Sequence, residues 1–177
     1  MRVLTVDEKK RLIHYLLTDM DECRFGILIA LFTGIRIGEL CALRWGDVSL
    51  EERTLRIAST MQRLKNGERD STAKTKILID TPKSGSSLRT IPISEYAVSL
   101  CSQIGPGRPD TFLLTGTRQY MEPRVVQYRL AKYTAECGLD GVISTHSAIR
   151  LRRAAWKWDL RSRVSAKSSV TPVQISR

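Results

Sequence analysis

The chain has 177 residues and carries 29 Lys and Arg against 18 Asp and Glu, a formal net charge of +11. That length suits one domain, or one and a fraction, and 42% hydrophobic and 27% charged residues are ordinary shares for a globular protein. No apolar run reaches the roughly 18 residues that span a bilayer, and the N-terminus has no apolar stretch, so we expect neither a transmembrane helix nor a signal peptide.

Three helices are predicted in the first part of the chain. Thr5 and Glu8 form a capping-box pattern ahead of apolar residues at helical spacing. A second helix is predicted from about Asp21 through Phe32, and it is apolar nearly all round, which predicts a central position. Gly34 breaks this helix, and a short third helix follows.

A small antiparallel sheet and two further helices are predicted next. Three segments have β-type sequences, separated by polar loops rich in Lys, Gly and Ser: residues 54–60, 76–80 and 89–94. One helix is predicted over residues 95–104. Another starts at Pro123 and ends near Gly138. The predicted fold class is therefore α+β, mainly helical.

The cysteines indicate a reducing compartment. They are scattered and include no Cys-x-x-Cys pair: Cys23, Cys41, Cys101 and Cys137. This spacing favours neither a zinc site nor a disulfide framework. We therefore expect a cytoplasmic protein with reduced thiols.

The positive charge is a first indication of function, and it is unevenly distributed. A basic surface attracts polyanions, of which nucleic acid is the usual one, although charge alone fits a merely basic protein equally well. Residues 144–177 hold eight Lys and Arg against Asp159 alone, and they contain no Gly, Glu, Phe or Tyr. The composition of this tail therefore differs from that of the rest of the chain.

Residues 33–40 place an arginine at a helix start, directly after a glycine. There Arg36 can project from the packed body toward a phosphate, and the amides of the helix start add partial positive charge. Glu39, three residues on, can orient the guanidinium or simply pair with it. Spacing alone favours the plainer interpretation, a surface ion pair.

Residues 81–93 place Lys83 at a hairpin and Arg89 at the entrance to the next strand. A lysine on such a turn can reach a bound phosphate or donate a proton. Taken by itself, a solvated loop lysine is the commoner case.

Together these segments resemble the catalytic domain of tyrosine recombinases, the phage-integrase family. In that family a TGxRxGEL pattern followed by xLxW holds the first catalytic arginine, and residues 33–45 match it. The family's hairpin lysine lies in a TPK segment followed by SxRTIPI, which residues 81–93 match, and residues 4–8 resemble the start of the domain. The resemblance covers about residues 3–140 and is specific, because three segments agree in order and spacing.

The resemblance implies a mainly helical catalytic domain with a small antiparallel sheet, and a defined chemistry. A tyrosine attacks a DNA phosphodiester and forms a 3′-phosphotyrosyl bond without any metal or cofactor. Arg36 matches one of two arginines that bind the scissile phosphate, where charge-assisted bidentate contacts favour Arg over Lys. Lys83 matches the lysine that protonates the leaving 5′-oxygen. Glu39 is expected to support Arg36, and Arg89 to support the hairpin or a phosphate.

The function that the resemblance implies is site-specific DNA recombination and DNA integration by an enzyme of a mobile element. The expected partner is double-stranded DNA, with a possible homo-oligomer on that DNA, no membrane and no small-molecule substrate. The alternative is a non-catalytic DNA-binding protein that acts at recombination sites.

The resemblance fails toward the end of the chain. The family has HxxR, then roughly LGH, then the nucleophilic tyrosine. Here His146 and Arg150 are one residue too far apart, and no tyrosine follows Tyr133. We therefore expect no strand transfer by this chain alone. We also expect the chain to start at the catalytic domain, without the family's N-terminal DNA-clamp domain.

A shifted reading frame would account for the mismatch. From Gly141 onward, the last base of each codon can be read together with the first two bases of the next codon. The amino-acid sequence permitted in this frame includes FHxLRHTFATR and later SLSEILGHSS, which are the family's missing segments. In that frame, the junction of Trp156 with the next codon can encode only Glu, and the junction of Trp158 with the next codon can encode only Gly. The family usually has Glu and Gly at these two positions. Residues 1–143 are thus predicted to be a partial catalytic domain, and residues 144–177 an out-of-frame, non-native tail without catalytic groups. The rival interpretation is a basic tail that binds the phosphate backbone.

Sequencing the encoding DNA beyond codon 141 tests the frame hypothesis. We expect the alternative frame to run on through LGH to a tyrosine codon, since the permitted residues follow the family's order. A frame closed by stop codons, or one unlike the family, would contradict the hypothesis and favour the basic tail.

Overall fold

The computed structural model describes residues 4–66, 75–80 and 88–139. The helices in these ranges are α1 Val6–Thr18, α2 Glu22–Thr33, α3 Ile37–Ala42, α4 Glu95–Ile104 and α5 Pro123–Glu136. The strands are β1 Val48–Ser49, β2 Thr54–Ile57, β3 Thr60–Lys65, β4 Thr75–Asp80 and β5 Arg89–Pro92. A 3-10 turn, Trp45–Asp47, separates α3 from β1. None of the helices in these described ranges has the length and apolar character that a bilayer span requires.

The first two helices begin where their capping residues predict. At α1, the Thr5 hydroxyl accepts a hydrogen bond from the Glu8 amide at 3.3 Å, and the Glu8 carboxylate accepts one from the Thr5 amide at 2.8 Å. At α2, the Asp21 side chain accepts from the amide of Arg24 at 2.6 Å. Each side chain therefore satisfies a backbone amide that the helix itself leaves without a partner.

Helix α2 is the centre of the core, as its apolar sequence predicts. Its residues 25–31 are all buried, and α1, α3 and α4 pack against it. Phe25 stacks on Trp45, with ring centroids 5.7 Å apart and planes 8° from parallel. Since Trp45 follows α3 directly, this contact fixes the end of α3 to the centre of the core.

In the part of the chain that the structure describes, two small antiparallel sheets replace the single predicted sheet. One has the strand order β1-β2-β5, with Val48 opposite Leu55 and Ile57 opposite Arg89. The other pairs β3 with β4. The prediction of one strand over residues 54–60 is wrong, because the chain leaves the first sheet after Ile57 and starts the second at Thr60. Beyond Met61, every residue of β3 is exposed, so the strand shows no core-facing alternation.

Helix α5 confirms the prediction from Pro123 and Gly138. Pro123 is the first helical residue, and Gly138 has a φ of 64°, which ends the helix in the left-handed region. Arg24 of α2 lies over the rings of Tyr15 and Tyr133, at 4.9 and 5.2 Å from their centroids. This arginine thereby joins α1, α2 and α5.

A close approach between α3 and β3 positions the start of α3. A Cβ atom on Gly38 would lie 2.7 Å from the carbonyl oxygen of Met61 and 2.9 Å from Oγ1 of Thr60. A glycine at position 38 is therefore what allows β3 to pass so near the helix.

Replacing Gly38 by alanine should destabilise the fold by about 1–3 kcal/mol, because the new methyl group meets backbone that cannot move freely. Gly26→Ala is the matched control, since its Cβ would meet mainly Cδ2 of Leu114, the end of a flexible side chain. Urea denaturation of both variants checks this. A loss for Gly38→Ala no larger than for Gly26→Ala would contradict the proposed contact.

Candidate functional site

Two features hold Arg36 at the start of α3: the turn at Gly34 before it and a hydrogen bond from its own amide to Glu39 after it. Gly34 has a φ of 69°, and its amide donates to the carbonyl of Ala30 at 2.9 Å, which ends α2. Arg36 then has extended backbone, and its own amide donates to Oε2 of Glu39 at 2.8 Å. The carboxylate of Glu39 thus reaches back to the residue that opens its own helix, as in one half of a capping box.

The Glu39 carboxylate is the centre of the site. Its side chain is only 3% exposed and accepts hydrogen bonds from two guanidinium groups. Nη1 of Arg36 donates to Oε1 at 3.1 Å. Arg89 donates from both terminal nitrogens, Nη1 to Oε1 at 2.9 Å and Nη2 to Oε2 at 2.8 Å. The spacing of Arg36 and Glu39 favoured a surface ion pair. In the structure the carboxylate of this pair is buried.

These bonds keep Glu39 ionised although it is buried. Burial is the largest single influence and works against the charged form. The hydrogen bonds and charges of Arg89 and Arg36 together outweigh it and lower the pKa of Glu39 below its ordinary value. The hydrogen bond to Glu39 in turn raises the pKa of Arg89. At neutral pH the site therefore holds two positive charges and one negative charge.

Arg89 comes to the site from a distant part of the chain. It begins β5, where it lies opposite Ile57 of β2, and its side chain is 32% exposed. From the resemblance, Arg89 is expected to support the hairpin or a phosphate. The structure places its guanidinium on Glu39, fifty residues away in sequence. Nothing in the spacing indicated this pair, because β5 is brought beside α3 only by the fold.

Arg36 differs from Arg89 in its exposure. Its side chain is 60% exposed, and in the described part of the chain it is bonded to Glu39 through Nη1. Much of the guanidinium therefore faces solvent while one corner is fixed. Such a group is suited to binding an anion that offers two acceptor oxygens, such as a phosphate.

Lys83, His146 and Arg150 lie outside the described residues. The described chain leaves β4 at Asp80 and resumes at Leu88, one residue before Arg89. The segment that carries Lys83 is thus joined directly to the strand that carries a member of the site.

A family model described as the phage integrase family matches residues 2–165. This chain belongs to the phage integrase family. The match confirms the resemblance seen in the sequence, and it extends into the segment 144–177. The division of the chain at residue 143 stays a prediction.

Similar proteins agree with this assignment. A tyrosine recombinase XerC-like protein of Caldanaerobacter subterraneus subsp. tengcongensis is 30% identical over 76 residues, which are 43% of this chain and 19% of that protein. The crystal structure of XerA recombinase matches this chain with a TM-score of 0.56 at 18% identity. The matched region covers 85% of this chain and 47% of the XerA chain.

The Tn1549 transposon integrase is a further structural relative. Its complex with circular intermediate DNA has a TM-score of 0.57 at 22% identity, and a variant bound to transposon right end DNA has 0.59 at 23%. In each case the matched region covers 84% of this chain and 50% of the integrase chain. The fold predicted from the motifs, a tyrosine-recombinase catalytic domain, is thereby confirmed. This chain spans about half the length of those structures and a fifth of the XerC-like relative.

Replacing Glu39 by glutamine should lower stability by about 1–3 kcal/mol at pH 7, the usual cost of losing a charge-assisted hydrogen bond. A carboxylate whose pKa is lowered by folding stabilises the fold above its ordinary pKa of about 4.3, and this contribution is lost as the pH falls through the lower, folded value. The difference between the wild type and Glu39→Gln should therefore shrink below about pH 4.

Denaturant unfolding across that pH range is the measurement. The exposed Glu51, in the turn after β1, serves as control through Glu51→Gln. A stability difference for Glu39→Gln that stays constant from pH 7 to pH 3 would contradict the ionised, hydrogen-bonded carboxylate.

Proposed function

We propose that this chain functions in site-specific DNA recombination and DNA integration, as part of a mobile-element integrase, and that Arg36 binds a phosphate of double-stranded DNA. One observation carries the proposal: an exposed guanidinium is anchored by a buried, ionised carboxylate at the start of α3. The two DNA-bound integrase structures of the same fold support DNA as the partner.

The chemistry of the site suits a DNA phosphate. A guanidinium stays charged at every physiological pH and presents its donors in one plane, so it can contact two phosphate oxygens together. During phosphoryl transfer the phosphate gains negative charge, which a fixed cation stabilises without having to reorganise. Arg36 is fixed in this way by the Nη1 bond to Glu39.

Lys83 is proposed to keep the position from which the family's lysine protonates the leaving 5′-oxygen. Its place in the TPK segment matches the family's hairpin lysine. Arg89 follows Lys83 by six residues in the sequence, and its guanidinium lies on Glu39, which supports a position for Lys83 near the same phosphate.

The tail is proposed to contribute nothing to catalysis. No tyrosine follows Tyr133 in the printed sequence, so residues 144–177 supply no nucleophile in the family's position. We therefore propose that this chain binds DNA without joining to it covalently. This same observation favours the second candidate, a non-catalytic DNA-binding protein at recombination sites.

The remaining proposals concern partners and location. We propose that copies of this chain assemble on DNA, that no small molecule is a substrate, and that the protein works in the cytoplasm. The net charge of +11 supports a polyanionic partner.

Replacing Arg36 by methionine should weaken binding to a double-stranded DNA by about tenfold, the cost of one charge-assisted hydrogen bond. The slope of log K against log salt should fall by about 1, as for the loss of one phosphate contact. Fluorescence anisotropy with a labelled duplex at several salt concentrations checks both values.

Arg118→Met is the charge-matched control. Arg118 is 71% exposed and donates to the carboxylate of Asp110 at 2.6 Å. The backbone carbonyl of Asp110 accepts a hydrogen bond from Arg44, which lies just past the C-terminal end of α3. An equal loss in both variants would show nonspecific attraction and contradict a phosphate contact by Arg36. A protein–DNA adduct that survives denaturing electrophoresis would contradict the proposal for the tail.

A further inference from the structure

We propose that Arg89 is a positioning residue that neutralises Glu39, so that the positive charge of Arg36 stays available to a phosphate. The inference rests on the proposed phosphate-binding role of Arg36. It assigns Arg89 a task different from that of a phosphate ligand or a strand anchor.

The geometry divides the carboxylate unequally between the two arginines. Arg89 approaches Glu39 in the fork-to-fork arrangement, with one terminal nitrogen on each oxygen, at 2.9 and 2.8 Å. The side chain of Arg36 reaches only Oε1, at 3.1 Å. Bidentate guanidinium–carboxylate pairs are the stronger and more directional kind, so Arg89 is the principal counter-charge of Glu39.

The charge balance then determines what Arg36 can do. Arg89 and Glu39 together are neutral, which leaves one net positive charge on the exposed Arg36. Without Arg89, the buried carboxylate would neutralise Arg36 instead. Each of its oxygens would lose one donor, which would draw the Arg36 side chain inward. Charges beside a buried carboxylate are poorly screened by water, so this competition with a phosphate would be strong.

The position of Arg89 agrees with this task. Its side chain is about half as exposed as that of Arg36, at 32% against 60%. Both of its terminal nitrogens donate to Glu39, so the edge of the guanidinium between them is already taken by the carboxylate. In the described residues, the charged groups that face Glu39 are Arg36 and Arg89, while β3 meets α3 through the uncharged Thr60 and Met61.

The test compares DNA affinity and its salt slope in the full chain, using the same labelled duplex. Arg89→Met should weaken binding about as much as Arg36→Met, roughly tenfold, since both remove the net charge at the site. The double variant Arg89→Met with Glu39→Gln should regain most of that affinity, because the competing carboxylate is gone. Arg89→Lys keeps the charge and should lose less than Arg89→Met. Arg118→Met again controls for total charge.

A pH series adds a readout that a merely structural role would not move. In Arg89→Met the pKa of Glu39 should rise, because its main hydrogen-bond donor is lost. Lowering the pH should then protonate Glu39 and restore DNA binding in that variant more than in the wild type. Carboxyl-carbon NMR of labelled glutamate gives this pKa directly, and Arg89→Met should raise it more than Arg36→Met does.

The outcomes separate the possibilities. Failure of Glu39→Gln to rescue Arg89→Met would overturn the proposal and favour Arg89 as a phosphate ligand or as a strand anchor. If Arg36→Met leaves DNA binding unchanged, the proposed function fails, whereas the pKa series still decides whether Arg89 is the main counter-charge of Glu39. If Arg89→Met does not fold, the double variant and Arg89→Lys decide: binding near the wild type in both supports the proposal, and a tenfold loss in both overturns it.

Discussion

The site depends on one buried carboxylate shared by two guanidinium groups. Glu39 is almost fully enclosed, so it would be costly as an isolated charge. Arg89 and the amide and side chain of Arg36 supply the donors that keep it ionised. The same bonds link α3 to the edge strand β5 and fix one corner of Arg36. Structure and electrostatics are therefore set by the same few contacts.

Two glycines make that arrangement possible. Gly34 takes up a left-handed conformation that ends α2 and turns the chain toward Arg36. Gly38 lets β3 pass against α3 at a distance that no side chain would allow. Behind them, Trp45 stacks on Phe25 and holds the far end of α3 to the central helix. A loop-borne arginine thereby becomes a fixed one.

The sequence predicted the helices well because their signals are local. Thr5, Asp21 and Pro123 each mark a helix start through a bond or a dihedral angle within their own turn. The two-sheet arrangement was not predictable in this way, since the exposed half of β3 has no apolar alternation. In the site, the pair of Arg36 and Glu39 was visible from its spacing. The bonds of Arg89 to Glu39 were not, because they depend on how distant strands are brought together.

The most direct test of Arg36 as the phosphate-binding group is nitrogen-15 NMR of the arginine side chains during titration with a DNA duplex. The guanidinium signals of Arg36 should shift on binding, while those of Arg89 stay near their free positions because Arg89 remains on Glu39. Shifts confined to other arginines, or a larger shift at Arg89 than at Arg36, would contradict the arrangement described above.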